Sequence, residues 1–245
     1  MKVIVLAAGY GTRLTPLIGD IPKALVTLGD VSVLDVLLAR LRDVVAEEHI
    51  VLVSNARYLP DFENYLEANA PSVRLLNDGS MTAQTRLGAI RDILFAIDYA
   101  QLDDDLLIVA ADNLILFDLA PLADCLRDGR IHVAIRHNPD MEDQKRRGVV
   151  TLGNGGEIVG FAEKPREPSS PWAAAPLYLL PRSLIRVVDD FIASGGNPDS
   201  PGYLMEYLVG RHPLMSWRMP GEILDIGNPD SLRIAAHELG VAGFE

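Results

Sequence analysis

Two glycines and several small residues follow the first apolar segment of the chain. Residues 6–14 read Leu-Ala-Ala-Gly-Tyr-Gly-Thr-Arg-Leu. Glycine permits the backbone angles that turn successive N–H groups toward an anion, and small neighbours let a ligand approach closely. Arg13 can hold two phosphate oxygens with its planar guanidinium, and Lys23 adds a compact positive charge. Residues 6–14, the glycine loop, are therefore predicted to bind phosphate.

Two familiar phosphate-binding patterns do not fit the glycine loop. The dinucleotide pattern requires a third glycine where Leu14 stands. The glycine-lysine-threonine run of a P-loop does not occur in the sequence. Taken alone, a strand followed by glycines is often only a tight turn, so further residues must decide the interpretation.

Charged side chains stand at the ends of several predicted strands. Asp112 follows the apolar run at 106–110, and Asp225 precedes a predicted helix. Open α/β sheets place ligands at the carboxyl ends of their strands, although an aspartate there often only caps a turn or a helix. Glu163 and Lys164 follow another predicted strand, and such a pair is ordinarily solvated surface. The residue types alone leave both interpretations open.

The glycine loop, continued by Thr15-Pro16-Leu17 and followed by Pro22-Lys23-Ala24-Leu25, resembles the signature of the sugar nucleotidyltransferases. This is the family of glucose-1-phosphate thymidylyltransferase and mannose-1-phosphate guanylyltransferase. The resemblance implies a magnesium-dependent enzyme that makes an NDP-sugar and pyrophosphate from a nucleoside triphosphate and a sugar 1-phosphate. Since no activated nucleophile is evident in the motifs, direct in-line attack is expected.

The resemblance also implies roles for individual residues. Arg13 would hold the pyrophosphate leaving group, Lys23 would contact nucleotide phosphates, and Asp112 and Asp225 would bind Mg²⁺. The sugar phosphate would be bound by Gly148, Glu163, Lys164 and Tyr178. The nucleotide would be bound by Leu6, Ala7, Ala8, Gly9, Gly11 and Thr12, with Gln84, Arg86 and Gly88 as candidates for base contacts.

The sequence departs from the family pattern in four places. Ala111 replaces a glycine before Asp112, and Asn228 replaces a threonine after Asp225. Residues 77–89 do not align with the base-reading loop of the family, so the nucleotide base stays open. Residues 174–178 read Ala-Ala-Pro-Leu-Tyr where the family often has Asn-Ala-Gly-Ile-Tyr, so the sugar stays open as well.

Strand and helix patterns alternate through the first half of the chain, which predicts an α/β fold. A Rossmann-like, mostly parallel sheet flanked by helices is expected, with a smaller β-rich sugar-binding part, as in the nucleotide-diphospho-sugar transferase fold. Residues 1–245 would form one domain, with a nucleotide-binding half at about 1–130 and a sugar-phosphate-binding half at about 131–245. Strands are predicted at 2–6, 49–54, 73–76, 106–110, 131–136, 148–152, 158–162, 177–180, 214–219 and 222–226. Helices are predicted at 32–46, 60–68, 84–99, 182–193, 203–210 and 229–239, and loops at 166–171 and 194–202.

Composition limits the remaining classes of function. The net charge of −12 disfavours general binding to nucleic acid or anionic lipid. The apolar runs are shorter than the ~18 residues that a membrane span requires. Cys125 is the only cysteine, which excludes an internal disulfide. A cytoplasmic protein is expected, and assembly into a homo-oligomer stays open.

Two alternatives remain at this point. One is a cytidylyltransferase for phosphocholine or another non-sugar phosphate, in which aromatic faces such as those of Trp172, Tyr178 and Trp217 would surround the quaternary ammonium. The other is a non-catalytic regulatory relative. Such a relative is expected to have lost some of the phosphate- and metal-binding residues, whereas this sequence retains them.

Overall fold

The computed structural model of the chain describes residues 1–12 and 14–241. Strands and helices alternate along the first half, as the sequence patterns predict. The strands are β1 (Lys2–Leu6), β2 (Thr27–Leu28), β3 (Val31–Ser32), β4 (Ile50–Ser54), β5 (Arg74–Asn77), β6 (Leu106–Ala110), β7 (Asn113–Ile115), β8 (Ile131–His137), β9 (Gly148–Leu152), β10 (Ile158–Glu163), β11 (Trp172–Leu180), β12 (Leu214–Arg218) and β13 (Ile223–Asp225). The α-helices are α1 (Thr15–Ile18), α2 (Val33–Arg42), α3 (Leu59–Asn69), α4 (Ala89–Tyr99), α5 (Ala120–Ala123), α6 (Met141–Gln144), α7 (Val187–Ala193), α8 (Pro201–Leu208) and α9 (Pro229–Glu238).

Several predicted elements have different bounds in the structure; for example, the helix predicted at 32–46 ends at Arg42. The helix predicted from residue 84 begins only at Ala89, because Gly88 adopts a positive φ of 92° and residues 82–85 form a turn closed by the Thr85 hydroxyl. The helix predicted at 182–193 is divided into a 3₁₀ turn, Arg182–Leu184, and α7. Strand β11 begins at Trp172, five residues before the predicted start. The sequence patterns do not predict the short strands β2, β3 and β7.

The chain divides into two compact units. The loop unit contains Val3–Arg86, Ala110–Leu119 and Gly221–Glu245, and the strand-rich unit contains Met1–Lys2, Leu87–Val109 and Ala120–Pro220.

Parallel strands form the sheet of the loop unit. β1 pairs with β4 and β4 pairs with β5, both in parallel register. Strands β1 and β4 are largely apolar and buried, as expected where helices connect parallel strands. Helix α2 begins with a capping box, in which the Ser32 hydroxyl accepts from the Asp35 N–H and the Asp35 carboxylate accepts from the Ser32 N–H. Ser32, the first residue of the helix predicted at 32–46, is therefore the N-cap of α2.

A buried cluster supports a second, two-stranded sheet in the loop unit. β7 and β13 pair in antiparallel register, with Asp225 opposite Asn113. Leu114 and Ile226 are fully buried beneath this ladder. Leu14 at the end of the glycine loop, Leu28 and Leu232 of α9 belong to the same cluster. Burial of these side chains fixes where the strand ends lie relative to the glycine loop.

Antiparallel pairing dominates the strand-rich unit. β11 pairs with β6, β8 and β9, and β10 pairs with β9 across the turn at 153–156. β12 joins β8 in parallel register. Helices α4, α7 and α8 contact one another and bury apolar side chains such as Ile93, Phe191 and Leu204. The chain therefore has the α/β fold class that the sequence predicts, with parallel strands between helices and a β-rich part.

Within residues 1–12 and 14–241, no helix has both the length and the apolar character needed to cross a bilayer.

Candidate active site

Buried side chains of the loop unit fix the backbone of the glycine loop. The Ala7 N–H donates to the carbonyl of Val53 at 2.8 Å, which extends the β1–β4 pairing by one residue. The next carbonyl, that of Ala8, accepts from the Asn55 amide at 3.0 Å. Asn55 is completely buried, and its own carbonyl oxygen accepts from the Tyr58 N–H at 2.9 Å. A buried amide with both ends bonded holds the loop rigidly.

Tyr10 joins the glycine loop to two other segments of the loop unit. Its carbonyl accepts from the Tyr58 hydroxyl at 3.4 Å, and the two rings lie 6.1 Å apart. Its hydroxyl is 2.9 Å from the Ser80 hydroxyl, in the segment after β5. Asn55, Tyr58 and Ser80 are not predicted from the sequence. Of the three, only Asn55 has a local signal, because it is a polar residue directly after the buried strand β4.

The two glycines of the loop have different structural requirements. Gly11 has a φ of 58°, and a Cβ built there would lie 3.0 Å from the Lys23 Cγ. A side chain at Gly11 would therefore be strained and would displace Lys23. Gly9 is exposed and has no neighbour within 4 Å of a built Cβ. Gly9 thus leaves open space where a phosphate group can approach the backbone.

The stem of Lys23 passes Gly11 and its ammonium group reaches Asp112. Lys23 Nζ donates to Asp112 Oδ2 at 2.7 Å, and the side chains are 15% and 29% exposed. Asp112 lies in the turn between β6 and β7, as predicted for a residue at the carboxyl end of a strand. Burial of the lysine stem strengthens this ion pair relative to a fully exposed one.

The pairing of β7 with β13 brings the backbone of Asp225 and Ile226 close to that of Asp112. The Ile226 N–H donates to the Asp112 carbonyl at 2.9 Å. The Asp225 side chain is exposed, and Gly227 leaves room beside it, since a Cβ there would lie 2.9 Å from Asp225 Oδ2. Asn228 caps α9, with its side chain accepting from the Ser231 N–H, a role that threonine can also fill.

The donor set of Asp112 and Asp225 suits magnesium. Among the described residues, no group of three or more His, Cys, Asp or Glu side chains could enclose a metal ion. Mg²⁺ usually takes one or two carboxylates and completes its octahedron with water and substrate phosphates. Asp112, in the turn before β7, and Asp225, at the end of β13, supply two such carboxylates.

The remaining residues predicted to bind the nucleotide lie in different segments of the chain. Gln84 and Arg86 are exposed in the segment after β5, and Gly88 is buried at the start of α4. Thr12 is exposed at the end of the glycine loop. Arg13 lies outside the described residues.

Glu163 and its neighbours form a second cluster, in the strand-rich unit. The Glu163 side chain is only 5% exposed, and its Oε2 would lie 3.1 Å from a Cβ built on Gly148. Lys164 Nζ lies 3.6 Å from Glu163 Oε1 and keeps 44% of its side chain exposed. Lys164 has a φ of 50°, a strained conformation for a residue with a side chain, of the kind that concentrates at functional positions.

Burial changes the protonation chemistry of this cluster. Loss of solvation raises the pKa of Glu163, and the Ser200 hydrogen bond and the charge of Lys164 offset part of that rise. Tyr178 is buried in β11, and burial together with the charge of Glu163 raises the pKa of its phenol. The hydroxyl of Tyr178 therefore stays protonated. The structure thus places Gly148, Glu163 and Lys164 together, beside Ser200, which is not among the predicted site residues.

Comparison with known proteins extends these observations. Residues 2–240 match the family model described as nucleotidyl transferase. A UTP–glucose-1-phosphate uridylyltransferase from Haloferax volcanii is 26% identical over 233 residues, which cover 94% of this chain and 93% of that protein. A glucose-1-phosphate thymidylyltransferase from Streptomyces antibioticus is 30% identical over 182 residues, which cover 74% of this chain and 49% of that protein. The chain spans about half the length of several of the curated relatives it matches.

A solved structure has the same fold. It is assigned as a glucose-1-phosphate thymidylyltransferase from Bacillus anthracis, in complex with sucrose. The TM-score is 0.79 at 21% sequence identity, and the match covers 99% of this chain and 96% of that chain. This likeness confirms the predicted fold class.

Proposed function

We propose a reaction for this chain from one premise, that it belongs to the nucleotidyl transferase family. The reaction is transfer of a nucleoside monophosphate from a nucleoside triphosphate to a sugar 1-phosphate, with release of pyrophosphate. One observation carries the proposal: Lys23 lies against Gly11 and pairs with Asp112, so the glycine loop, a cation and a strand-end carboxylate meet in one place. The names of relatives that match along most of the chain support the same class of substrates.

Different residues serve the two substrates. The glycine loop, with the open space at Gly9, accommodates the triphosphate, and Arg13 and Lys23 neutralise its charge. The Glu163 carboxylate accepts hydrogen bonds from hydroxyl groups of the sugar, and the exposed ammonium group of Lys164 binds the sugar phosphate. The sugar phosphate already carries a nucleophilic oxygen at neutral pH, so the chain's own groups need only orient the reactants and stabilise charge.

Asp112 and Asp225 would hold Mg²⁺ in this reaction. When bound, the ion would neutralise charge on the phosphate oxygens. Lys23 already compensates the charge of Asp112, which reduces repulsion between that carboxylate and an incoming triphosphate.

A covalent nucleotidyl-enzyme is not part of the proposal. Cys125 donates its thiol hydrogen to the Pro121 carbonyl, and burial, together with Asp128 and Asp124, raises the pKa of the thiol. A raised pKa lowers the fraction of nucleophilic thiolate. Direct attack by the sugar phosphate on the α-phosphorus therefore fits the chain's residues better than a two-step transfer.

Pyrophosphate release over a panel of substrates tests the proposed reaction. The purified chain is incubated with Mg²⁺, each common nucleoside triphosphate and each of several sugar 1-phosphates, with Asp112→Asn as the matched inactive control. We expect one or a few pairs to release pyrophosphate and to form the corresponding NDP-sugar. Absence of product with every sugar 1-phosphate, together with turnover of phosphocholine and CTP, would favour the non-sugar alternative.

The aromatic residues offer little support for that alternative. The Arg218 guanidinium lies 4.7 Å from the centre of the Trp172 ring, and the edge of His137 also contacts that ring. Tyr178 is buried in β11. A quaternary ammonium needs accessible aromatic faces, whereas the Trp172 ring already contacts the Arg218 cation and the Tyr178 ring is buried.

A further inference from the structure

Ser200 stands at a position where serine normally stabilises a helix. It is the N-cap residue of α8, with extended backbone angles of −136° and 140°. Serine is favoured there because its hydroxyl accepts from an N–H of the first turn. In α8 the Ser200 side chain forms no such cap hydrogen bond. The Ser200 hydroxyl is therefore available for a hydrogen bond outside the first turn of α8.

The Ser200 hydroxyl donates to Glu163. The distance from Oγ to Glu163 Oε1 is 2.8 Å, across 37 positions of sequence. A hydrogen bond from a neutral donor to a buried carboxylate is among the stronger ones in proteins. It fixes one of the two oxygens of a carboxylate that is almost completely removed from solvent.

The next residues of the same segment confine the other carboxylate oxygen. A Cβ built on Gly202 would lie 1.9 Å from Glu163 Oε2, so only glycine fits at this position without moving the carboxylate. Glu206 in the next turn of α8 accepts from the Glu163 N–H at 3.3 Å. The start of α8 therefore contacts Glu163 at both carboxylate oxygens and at the backbone.

The segment is itself held at its other end. The Pro198 carbonyl accepts from the Ile90 N–H at 2.9 Å. A Cβ built on Gly88 would lie 2.7 Å from that carbonyl, so Gly88 permits the close approach. Residues 198–202, here called the serine segment, are thus fixed between the beginning of α4 and Glu163.

We infer that Ser200 is a positioning residue that directs the Glu163 carboxylate toward sugar hydroxyl groups, so the serine segment determines how sugar phosphates are selected. This inference rests on the proposed function, in which Glu163 contacts the sugar. The Ser200 hydroxyl holds Oε1 and so fixes the plane of the carboxylate, and Gly202, which lacks a Cβ, leaves the space that Oε2 occupies in this orientation.

Steady-state kinetics test the positioning role. Ser200→Ala should raise the KM for glucose 1-phosphate, or for the sugar phosphate that the panel identifies, about tenfold, as expected for loss of one charge-assisted hydrogen bond. The KM for the nucleoside triphosphate should change less than twofold. Ser200→Thr retains a hydroxyl and should recover most of the loss. Ser72→Ala, at an exposed serine of the loop unit, should change neither constant.

A second measurement examines the contact without any substrate. The pKa of Glu163 is measured by carbon NMR of labelled glutamate and assigned with Glu163→Gln. Ser200→Ala should raise this pKa above that of the wild type, because the group loses a hydrogen bond to its charged form. Lys164, Glu206 and Tyr178 also face Glu163, and they are unchanged in the comparison.

The two measurements separate the possible outcomes. If the wild type uses sugar phosphates and Ser200→Ala has wild-type KM values, the inference is overturned while the proposed function stands. A fall in melting temperature with unchanged KM values would assign Ser200 a purely structural role, which also overturns it. If the wild type uses no sugar phosphate, the proposed function fails and the selectivity claim fails with it, even if the Glu163 pKa changes as expected.

Discussion

In the proposed reaction, the ion pair between Lys23 and Asp112 would prepare the site for a nucleoside triphosphate. The pair places a cation and a carboxylate beside the glycine loop before any ligand binds. The chain as a whole carries a net charge of −12, so attraction of a triphosphate must come from such local groups. Asp225 adds a second carboxylate through the β7–β13 pairing.

Replacing either aspartate should therefore separate function from folding. Asp112→Asn and Asp225→Asn should each lower turnover at least a hundredfold in the presence of Mg²⁺, because a carboxamide is a poor magnesium ligand. Both side chains lie at partly exposed strand ends, so melting temperatures should fall by only a few degrees. Pyrophosphate release and thermal melts measure the two effects. Near-normal turnover in both variants would contradict the metal assignment.

Glu163 is a buried carboxylate. Its ionised form is therefore predicted to cost stability, although the same carboxylate is proposed to bind the sugar. Its raised pKa means that the folded protein binds this proton more tightly than the unfolded chain. Stability contributed by the group is therefore present at low pH and is lost as pH rises through the raised pKa. Glu163→Gln removes this dependence and keeps the shape of the side chain.

Thermal melts of wild type and Glu163→Gln between pH 4 and pH 8 measure the pH-dependent contribution of Glu163 to stability. The melting temperature of the variant, relative to that of the wild type, should increase with pH. The variant should also use sugar phosphate less efficiently than the wild type. All other titrating groups are common to both proteins, so the difference isolates Glu163. A relative melting temperature that falls with rising pH would show that the carboxylate stabilises the fold.

At the scale of an element, the glycine loop combines two glycines with separate roles. Gly11→Ala should cost about 1–2 kcal/mol, because a Cβ is disfavoured at its φ of 58° and also meets the Lys23 stem. The melting temperature should fall by several degrees, and binding of a nucleoside triphosphate should weaken. Gly9→Ala is the matched control for folding, since it meets no neighbour.

Gly9→Ala should leave the melting temperature unchanged and still weaken triphosphate binding, because its methyl group would occupy space near the phosphates. Calorimetric titration and thermal melts distinguish the two variants. Equal losses of stability in both would mean that the positive φ of Gly11 is not the reason for glycine there.

For the whole molecule, direct transfer requires that both substrates are bound at the same time. Initial rates over both substrates should give intersecting lines, and an α-labelled triphosphate should leave no label on the protein when the sugar phosphate is omitted. Heat-denatured protein is the control for adventitious labelling. Parallel lines, or a labelled protein that goes on to product at the rate of turnover, would refute the direct mechanism.

Local signals in the sequence sufficed for much of the fold and for part of the candidate site. The buried strand β1 and the glycine loop follow from an apolar run and small residues that are contiguous in sequence. Ser32 marks the start of α2, since a capping box involves residues only three positions apart. The helix predicted from residue 84 failed at its start because Gly88 packs against Pro198, a distant contact that a local pattern does not contain.

The tertiary structure alone decided which of these residues meet. Lys23 and Asp112 are 89 positions apart, and Asn55 and Ala8 are 47 positions apart. Ser200 lies in a segment that the sequence predicts only as a loop, yet it bonds to Glu163. Such contacts depend on strand register and on the direction in which a side chain leaves its element, and both are set by packing of the whole unit. The sequence determines which hydrogen bonds and charges each side chain can contribute, whereas packing determines which other residue it contacts.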